Sequence, residues 1–270
     1  MKRKADFFTT TDQKKMYFEE IIFGNDHCYL VLLNGLTQST VSWQWCLDHL
    51  KWNGRVVLCD LIFQGKSDQY GPSRDFNQHA KDVKELLEFL NAENICLAGI
   101  SYGSIVAQHF AVNYAESLRK LILISTFAHK TPFYKAIEQS WKNALLTGGY
   151  ELLLDVMLPY VLSEKYFMSP IIPIDNIKKL RLELQPRKES ILKLMEATEN
   201  RKDYLEELSW VKCQTLIIQG ENDLLFPPYF AKAIQEKIRG SKLLIIPGKG
   251  HTLNIEAAAV ISEEISLFCQ

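Results

Sequence analysis

Long apolar runs are missing from this 270-residue chain: nowhere do about 18 consecutive apolar residues occur, so no simple membrane-spanning segment is expected. Net charge is nearly missing too. Lys plus Arg total 31 against 32 Asp plus Glu, and the formal charge of -1 supplies no field to draw phosphate backbones or anionic membranes. Neither nucleic acid nor a membrane is therefore an expected partner. The six cysteines contain no CxxC pair, and Cys59, Cys96 and Cys213 fall in or beside strand-like apolar runs, so reduced core thiols are expected. The six histidines lack the HxH or HExxH spacing that sets two ligands on one ion, and no G-x-G-x-x-G follows a strand. No metal and no cofactor is expected. Residues 1–20 mix Lys2, Arg3, Lys4 and Asp6 with threonines and lack the apolar core of a signal peptide. With unpaired thiols, this fits a soluble, cytoplasmic protein.

What is present is an alternation. Apolar, β-branched runs of strand length recur at Tyr29 to Leu33, Arg55 to Cys59, Ile95 to Ala98, Lys120 to Ile124, Thr215 to Ile218 and Lys242 to Ile246. Helical spacing fills the gaps at Val41 to Leu50, Phe76 to Leu90, Ser104 to Tyr114, Tyr229 to Ile238 and Ile255 to Phe268. Strand and helix in turn predict an α/β fold: a mostly parallel sheet flanked by helices on both faces. Lys15 to Phe23 alternates well enough to add one or two antiparallel strands in front. With 47% hydrophobic and 23% charged residues, the chain suits one compact core large enough to shield a nucleophile from water.

The alternation breaks once. Residues 127–209 read as several helices joined by Pro159, Pro170, Pro173 and Pro186, which predicts a helical lid inserted into a core made of residues 1–126 and 210–270. The insertion carries Phe133, Tyr134, Trp141, Tyr150, Met157, Tyr160, Tyr166 and Phe167, so one side of it is expected to face an apolar cleft. Phe133, Trp141 and Tyr160 are the candidate substrate contacts. The same aromatics could equally serve to pack the insertion onto the core.

Chemistry concentrates at three strand ends. Gly99-Ile100-Ser101-Tyr102-Gly103 is a G-x-S-x-G pentapeptide lying directly after one strand-like run and directly before a helical segment. A serine on such a sharp strand-to-helix turn has its hydroxyl exposed, and the glycines avoid clashes that side chains would cause. A serine hydroxyl is a poor nucleophile at neutral pH, so it needs a base in reach and a third group that holds the base in the right tautomer. Gln219-Gly220-Glu221-Asn222-Asp223 follows one later strand and Pro247-Gly248-Lys249-Gly250-His251 follows the last, which places Asp223 and His251 at the carboxyl edge of the sheet. Singly, an Asp there is often a turn former or helix cap, and a lone His is often a packed or surface residue, as His27, His49, His79, His109 and His129 are expected to be. Together the three point to nucleophilic catalysis. The backbone amide of Tyr102, at a helix start, is one expected oxyanion donor, and that of Leu36, in Asn34-Gly35-Leu36-Thr37, is the other.

From Tyr29 to the carboxyl terminus these residues resemble the α/β-hydrolase superfamily, whose members carry the triad in the order Ser, acid, His. Two positions depart from its pattern. Asn34 precedes Gly35 where histidine is common, and Phe63 in Asp60-Leu61-Ile62-Phe63-Gln64-Gly65-Lys66-Ser67 stands where glycine is usual. The resemblance implies the α/β-hydrolase fold with an inserted helical lid and cleavage of a small-molecule carboxylic ester or thioester of modest, apolar acyl size. Ser101 would be the nucleophile, His251 the base and Asp223 the orienting acid, in a monomer or homodimer. The scaffold also hosts acyltransferases, C–C bond hydrolases and ligand-binding receptors, and these remain alternatives. Serine rather than aspartate at the turn disfavours halide displacement.

Overall fold

A computed structural model describes residues 2–270 of the chain. Eight strands form one sheet: β1 (Lys2–Thr9), β2 (Lys15–Ile22), β3 (Tyr29–Leu33), β4 (Arg55–Cys59), β5 (Ile95–Ile100), β6 (Leu118–Ile124), β7 (Gln214–Gly220) and β8 (Lys242–Ile246). The spatial order is β1-β2-β4-β3-β5-β6-β7-β8. β1 pairs antiparallel with β2, and β2 with β4; every other pair is parallel. This is the α/β fold expected.

Successive side chains on a strand point to opposite faces, so a continuous apolar run feeds two cores at once. Val31 and Leu33 join one core while Leu30 and Leu32 join the other, and Leu97 and Leu121 are separated in the same way from Cys96 and Ile122. One face is covered by α1 (Gln44–Leu47), α9 (Leu253–Glu256) and α10 (Ala258–Cys269), through Cys46, Leu253, Ile261 and Ile265. The other is covered by α2 (Phe76–Phe89), α3 (Tyr102–Asn113) and α8 (Tyr229–Lys237), through Val83, Ile105, Phe110 and Phe230. α2 starts where Asp75 and Gln78 form a reciprocal capping box.

β1 is the element that the pattern of residues did not announce. Its side chains are mostly exposed, and an edge strand bearing Lys2, Arg3 and Lys4 shows no apolar face to read, while those charges hinder pairing with another chain. The stretch from Val41 to Leu50 makes only a 3₁₀ turn at Thr40–Trp43 and the short α1, and Ile255 to Phe268 is split between α9 and α10 at Ala257.

Between Ile124 and Gln214 the chain makes α4 (Pro132–Val161), α5 (Glu164–Met168), α6 (Ile174–Glu183) and α7 (Lys188–Asn200), with no strand. α4 has the length and composition of a membrane span, but Gly149 leaves helical geometry with φ 71°. Neither arm then reaches the ~20 residues that a bilayer requires.

In the sheet order, β3 has β4 on one side and β5 on the other, so the connections leaving β3 and β5 diverge. A crevice opens outside the carboxyl ends of two such strands, the usual ligand position in an open α/β sheet. The Asn34–Gln38 loop and Ser101 flank that crevice.

Candidate active site

Ser101 links β5 to α3 with φ 53° and ψ -115°, a conformation that disfavours any L-residue. Its amide donates to the Ile124 carbonyl at 2.9 Å, and Ser104 Oγ donates to its carbonyl at 2.6 Å, so neighbours on both sides hold the strained turn. Tyr102, next in the chain, is the first residue of α3, and the first amides of a helix have no partner inside it.

Asp223 and His251 come together. His251 Nδ1 lies 2.7 Å from Asp223 Oδ2, with both side chains buried. The carboxylate also accepts from Gln219 Nε2 at 2.7 Å and from the amides of Leu225 and Phe226 at 2.9 and 2.8 Å. So oriented, the ring leaves Nε2 buried with no hydrogen-bond partner. His251 and Ser101 border the same cavity, of about 40 Å³, together with Leu36, Trp141, Met157 and Arg181. A second cavity of about 30 Å³ continues past Ser101 between Tyr134, Trp141 and Phe226.

The loops carrying the acid and the histidine are locked backbone to backbone. The Asn222 amide donates to the Lys249 carbonyl at 2.8 Å, and a Cβ on Gly220 would stand 2.1 Å from the Gly250 carbonyl oxygen. Any side chain at 220 would separate the two loops. Ser125, with φ 49°, donates from Oγ to the His251 carbonyl at 2.6 Å and fixes that residue from the β6 side.

On the other flank, the Gly35 carbonyl accepts from Gln64 Nε2 at 2.9 Å. A trans peptide points its C=O and N–H in opposite directions, so the Leu36 amide faces away from Gln64. Leu36 borders both cavities. Asn34 is wholly engaged: Nδ2 donates to the Cys59 carbonyl at 2.8 Å and to Asp60 Oδ1 at 3.1 Å, and Oδ1 accepts from Trp43 Nε1 at 3.0 Å. Asp60 also accepts from the amides of Thr40 and Lys66, and burial pushes its pKa up to about 6. Phe63 sits at φ 77° with its ring buried, so it adopts a glycine-like backbone and contributes core packing as well.

Of the aromatics expected to face the cleft, Trp141 borders both cavities. Phe133 does not join them. It lies at the start of α4 and is 65% exposed, whereas its neighbour Tyr134 turns inward. Tyr160 is not on either cavity and reaches Trp141 edge-on, with ring centroids 6.4 Å apart. Consecutive helix positions point about 100° apart, so aromatic content alone could not choose between such neighbours.

Arg181 was missed. It lies one helical turn after the buried Ile177 and so shares that apolar face, a signal hidden by the surrounding Lys178, Lys179 and Glu183. Thr37 and Gln38 were missed as well. Gln38 bonds both the Gly35 amide and Asn254, tying the β3 loop to α9 just after His251. His79 is fully buried beside the Tyr102 ring, with neither ring nitrogen partnered, and burial together with the Arg74 charge pushes its pKa down to about 3. No group of three metal-ligating side chains occurs among the described residues.

Comparison with known proteins agrees with the architecture. A model of the alpha/beta hydrolase family matches residues 30–264. The AB hydrolase superfamily protein YisY of Bacillus subtilis is 25% identical over 268 residues, covering 97% of this chain and 98% of that protein. MGS-M2, an alpha/beta hydrolase enzyme from a Medee basin deep-sea metagenome library, superposes with a TM-score of 0.89 at 26% identity, covering 98% of each chain. A thermophilic esterase from Thermogutta terrifontis, with malate bound, gives a TM-score of 0.85 at 25% identity, covering 98% of this chain and 97% of its own. With a family match from residue 30 to residue 264, the chain belongs to the alpha/beta hydrolase family.

Proposed function

We propose that the protein is a serine hydrolase that cleaves a small carboxylic ester or thioester through an acyl-enzyme intermediate. The observation that carries this reading is the unpartnered Nε2 of His251, a residue held by the Asp223 contact on the same cavity as Ser101. A buried ring nitrogen with no partner is costly to keep, and on this reading its role is to receive the Ser101 proton. Such hydrogen bonds are often unmade without substrate and close in the reacting complex.

Ser101 Oγ attacks the carbonyl carbon while His251 Nε2 takes its proton. The Leu36 and Tyr102 amides hold the resulting oxyanion, a donor of this kind contributing about 3–4 kcal/mol to the transition state. Collapse expels the alcohol or thiol, protonated by His251; water then attacks the acyl-enzyme by the same route and releases the acid. Asp223 keeps the imidazole in the tautomer with Nε2 free to accept. The helical insertion acts as a lid, because the cavity of about 40 Å³ holds only about three waters and substrate must displace part of α4 to enter.

The esterase named among the similar structures supports the bond type. A fluorophosphonate probe tests the reading: wild type is labelled at Ser101 and Ser101→Ala is not. A folded wild type that resists the probe and leaves p-nitrophenyl acetate intact would end the proposal.

A further inference from the structure

One side chain on the cavity has no part in the chemistry above. Arg181, on α6, is 7% exposed and borders the same cavity as Ser101 and His251. Its side chain makes one hydrogen bond among the described residues, from Nη1 to Thr37 Oγ1 at 3.3 Å. The contrast with the other buried arginines is chemical. Arg74 is paired with Asp12 and Asp82, and Arg201 is bonded to Gln108 and the Phe127 carbonyl with Asp203 nearby. Arg181 forms no salt bridge among the described residues; the Tyr150 hydroxyl acts on its charge, and burial lowers the arginine's pKa from the ordinary value. Arginine stays protonated even so, which leaves a cation with open donors on a cavity whose wall also includes the apolar Trp141, Met157, Val161 and Leu225 and the polar Gln38, Ser101 and His251.

Burying a charge without a counter-charge is expensive, and cores keep such groups when something else supplies the opposite charge. The planar guanidinium fork fits a carboxylate through paired N–H donors. We propose that Arg181 is the receptor for a carboxylate on the substrate, so that the ester cleaved at Ser101 is an anionic one with its carboxylate a few atoms from the reacting carbonyl. The Thr37 contact aims the fork, and Thr37 belongs to the loop whose Leu36 amide faces the oxyanion. The cleavage half of this inference rests on the reading of Ser101 and His251 given above; the anion site does not.

Two measurements test it. Calorimetric titration of succinate into Ser101→Ala should give binding that weakens at least tenfold in Ser101→Ala/Arg181→Met and is partly restored with Arg181→Lys. On wild type, which needs no second variant, monomethyl succinate is compared with methyl butyrate, and acetoxyacetate with propyl acetate. The anionic member of one pair should be favoured in kcat/KM by about 10- to 100-fold, and the favoured pair tells whether the carboxylate sits on the acyl or the alcohol side. Succinate binding that Arg181→Met leaves unchanged, or neutral esters preferred in both pairs, would overturn the proposal. Fluorophosphonate labelling separates the two readings. Labelling with no anion preference leaves the hydrolase and removes the anion site, whereas Arg181-dependent succinate binding without labelling does the reverse.

Discussion

Gly103 and Leu33 touch through their backbones: a Cβ built on Gly103 would lie 2.5 Å from the Leu33 carbonyl oxygen and 2.6 Å from that of Asn34. This contact lets α3 sit tight against the end of β3 and brings Ser101 beside the Leu36 loop. Alanine at this helical position would gain about 1 kcal/mol in intrinsic propensity. The clash, against backbone that cannot rotate away, costs about 2–3 kcal/mol and prevails. Gly103→Ala should therefore lower stability in urea titration, and a variant as stable as wild type would show that the approach is looser than described.

Asp223→Asn should leave the fold intact but lower kcat on p-nitrophenyl acetate by about three to four orders of magnitude, since an amide that donates to Nδ1 selects the tautomer with the proton on Nε2. Steady-state kinetics across a pH series would check this. Activity within tenfold of wild type would mean that the His251 contact with Asp223 has only a structural role.

Trp141 walls both cavities, and its Nε1 is buried without a partner, so its replacement removes bulk and leaves no new orphan. Trp141→Ala should raise kcat/KM for p-nitrophenyl hexanoate relative to acetate by at least tenfold, while the lost ring costs about 3–5 kcal/mol of stability. An unchanged acyl-length profile would place the acyl group elsewhere.

His79 offers a test in pH. The unfolded residue takes up a proton below about 6.5, whereas the buried, folded one resists until about 3. Over that window the unfolded state holds more protons, so this residue makes stability fall as pH falls. Asp82, raised by burial to about 7, works in the opposite direction between its unfolded value and that pH, so the wild-type slope mixes the two. The difference between His79→Leu and wild type isolates the histidine. It should shift in favour of the variant by about 2 kcal/mol between pH 7 and pH 5 in urea titrations. A difference that stays constant with pH would mean that folded His79 titrates normally.

The parallel strands and the three strand-end residues were legible because each is governed by neighbours in the chain. A buried strand needs an unbroken apolar run, and Ser101, Asp223 and His251 each follow one directly. β1 was not legible: among the strands it pairs only with β2, and an edge strand rich in charge carries no period to read. Asn34 and Phe63, the two departures from the family pattern, are explained by partners distant in the chain. Asn34 satisfies Cys59, Asp60 and Trp43, and Phe63 contributes a buried ring that offsets its unfavourable backbone.

Local pattern, then, was enough to specify the parallel strands, the sharp serine turn and the placing of Ser101, Asp223 and His251 at strand ends, since period and turn chemistry act over a few residues. Which aromatics wall the cavity, how Gln64 aims the Leu36 amide, and that Arg181 borders the cavity of Ser101 with no acidic partner among the described residues were decided only when the chain closed on itself. Those properties depend on helix rotation and on contacts between segments from 29 to 144 residues apart, and no short-range rule encodes either.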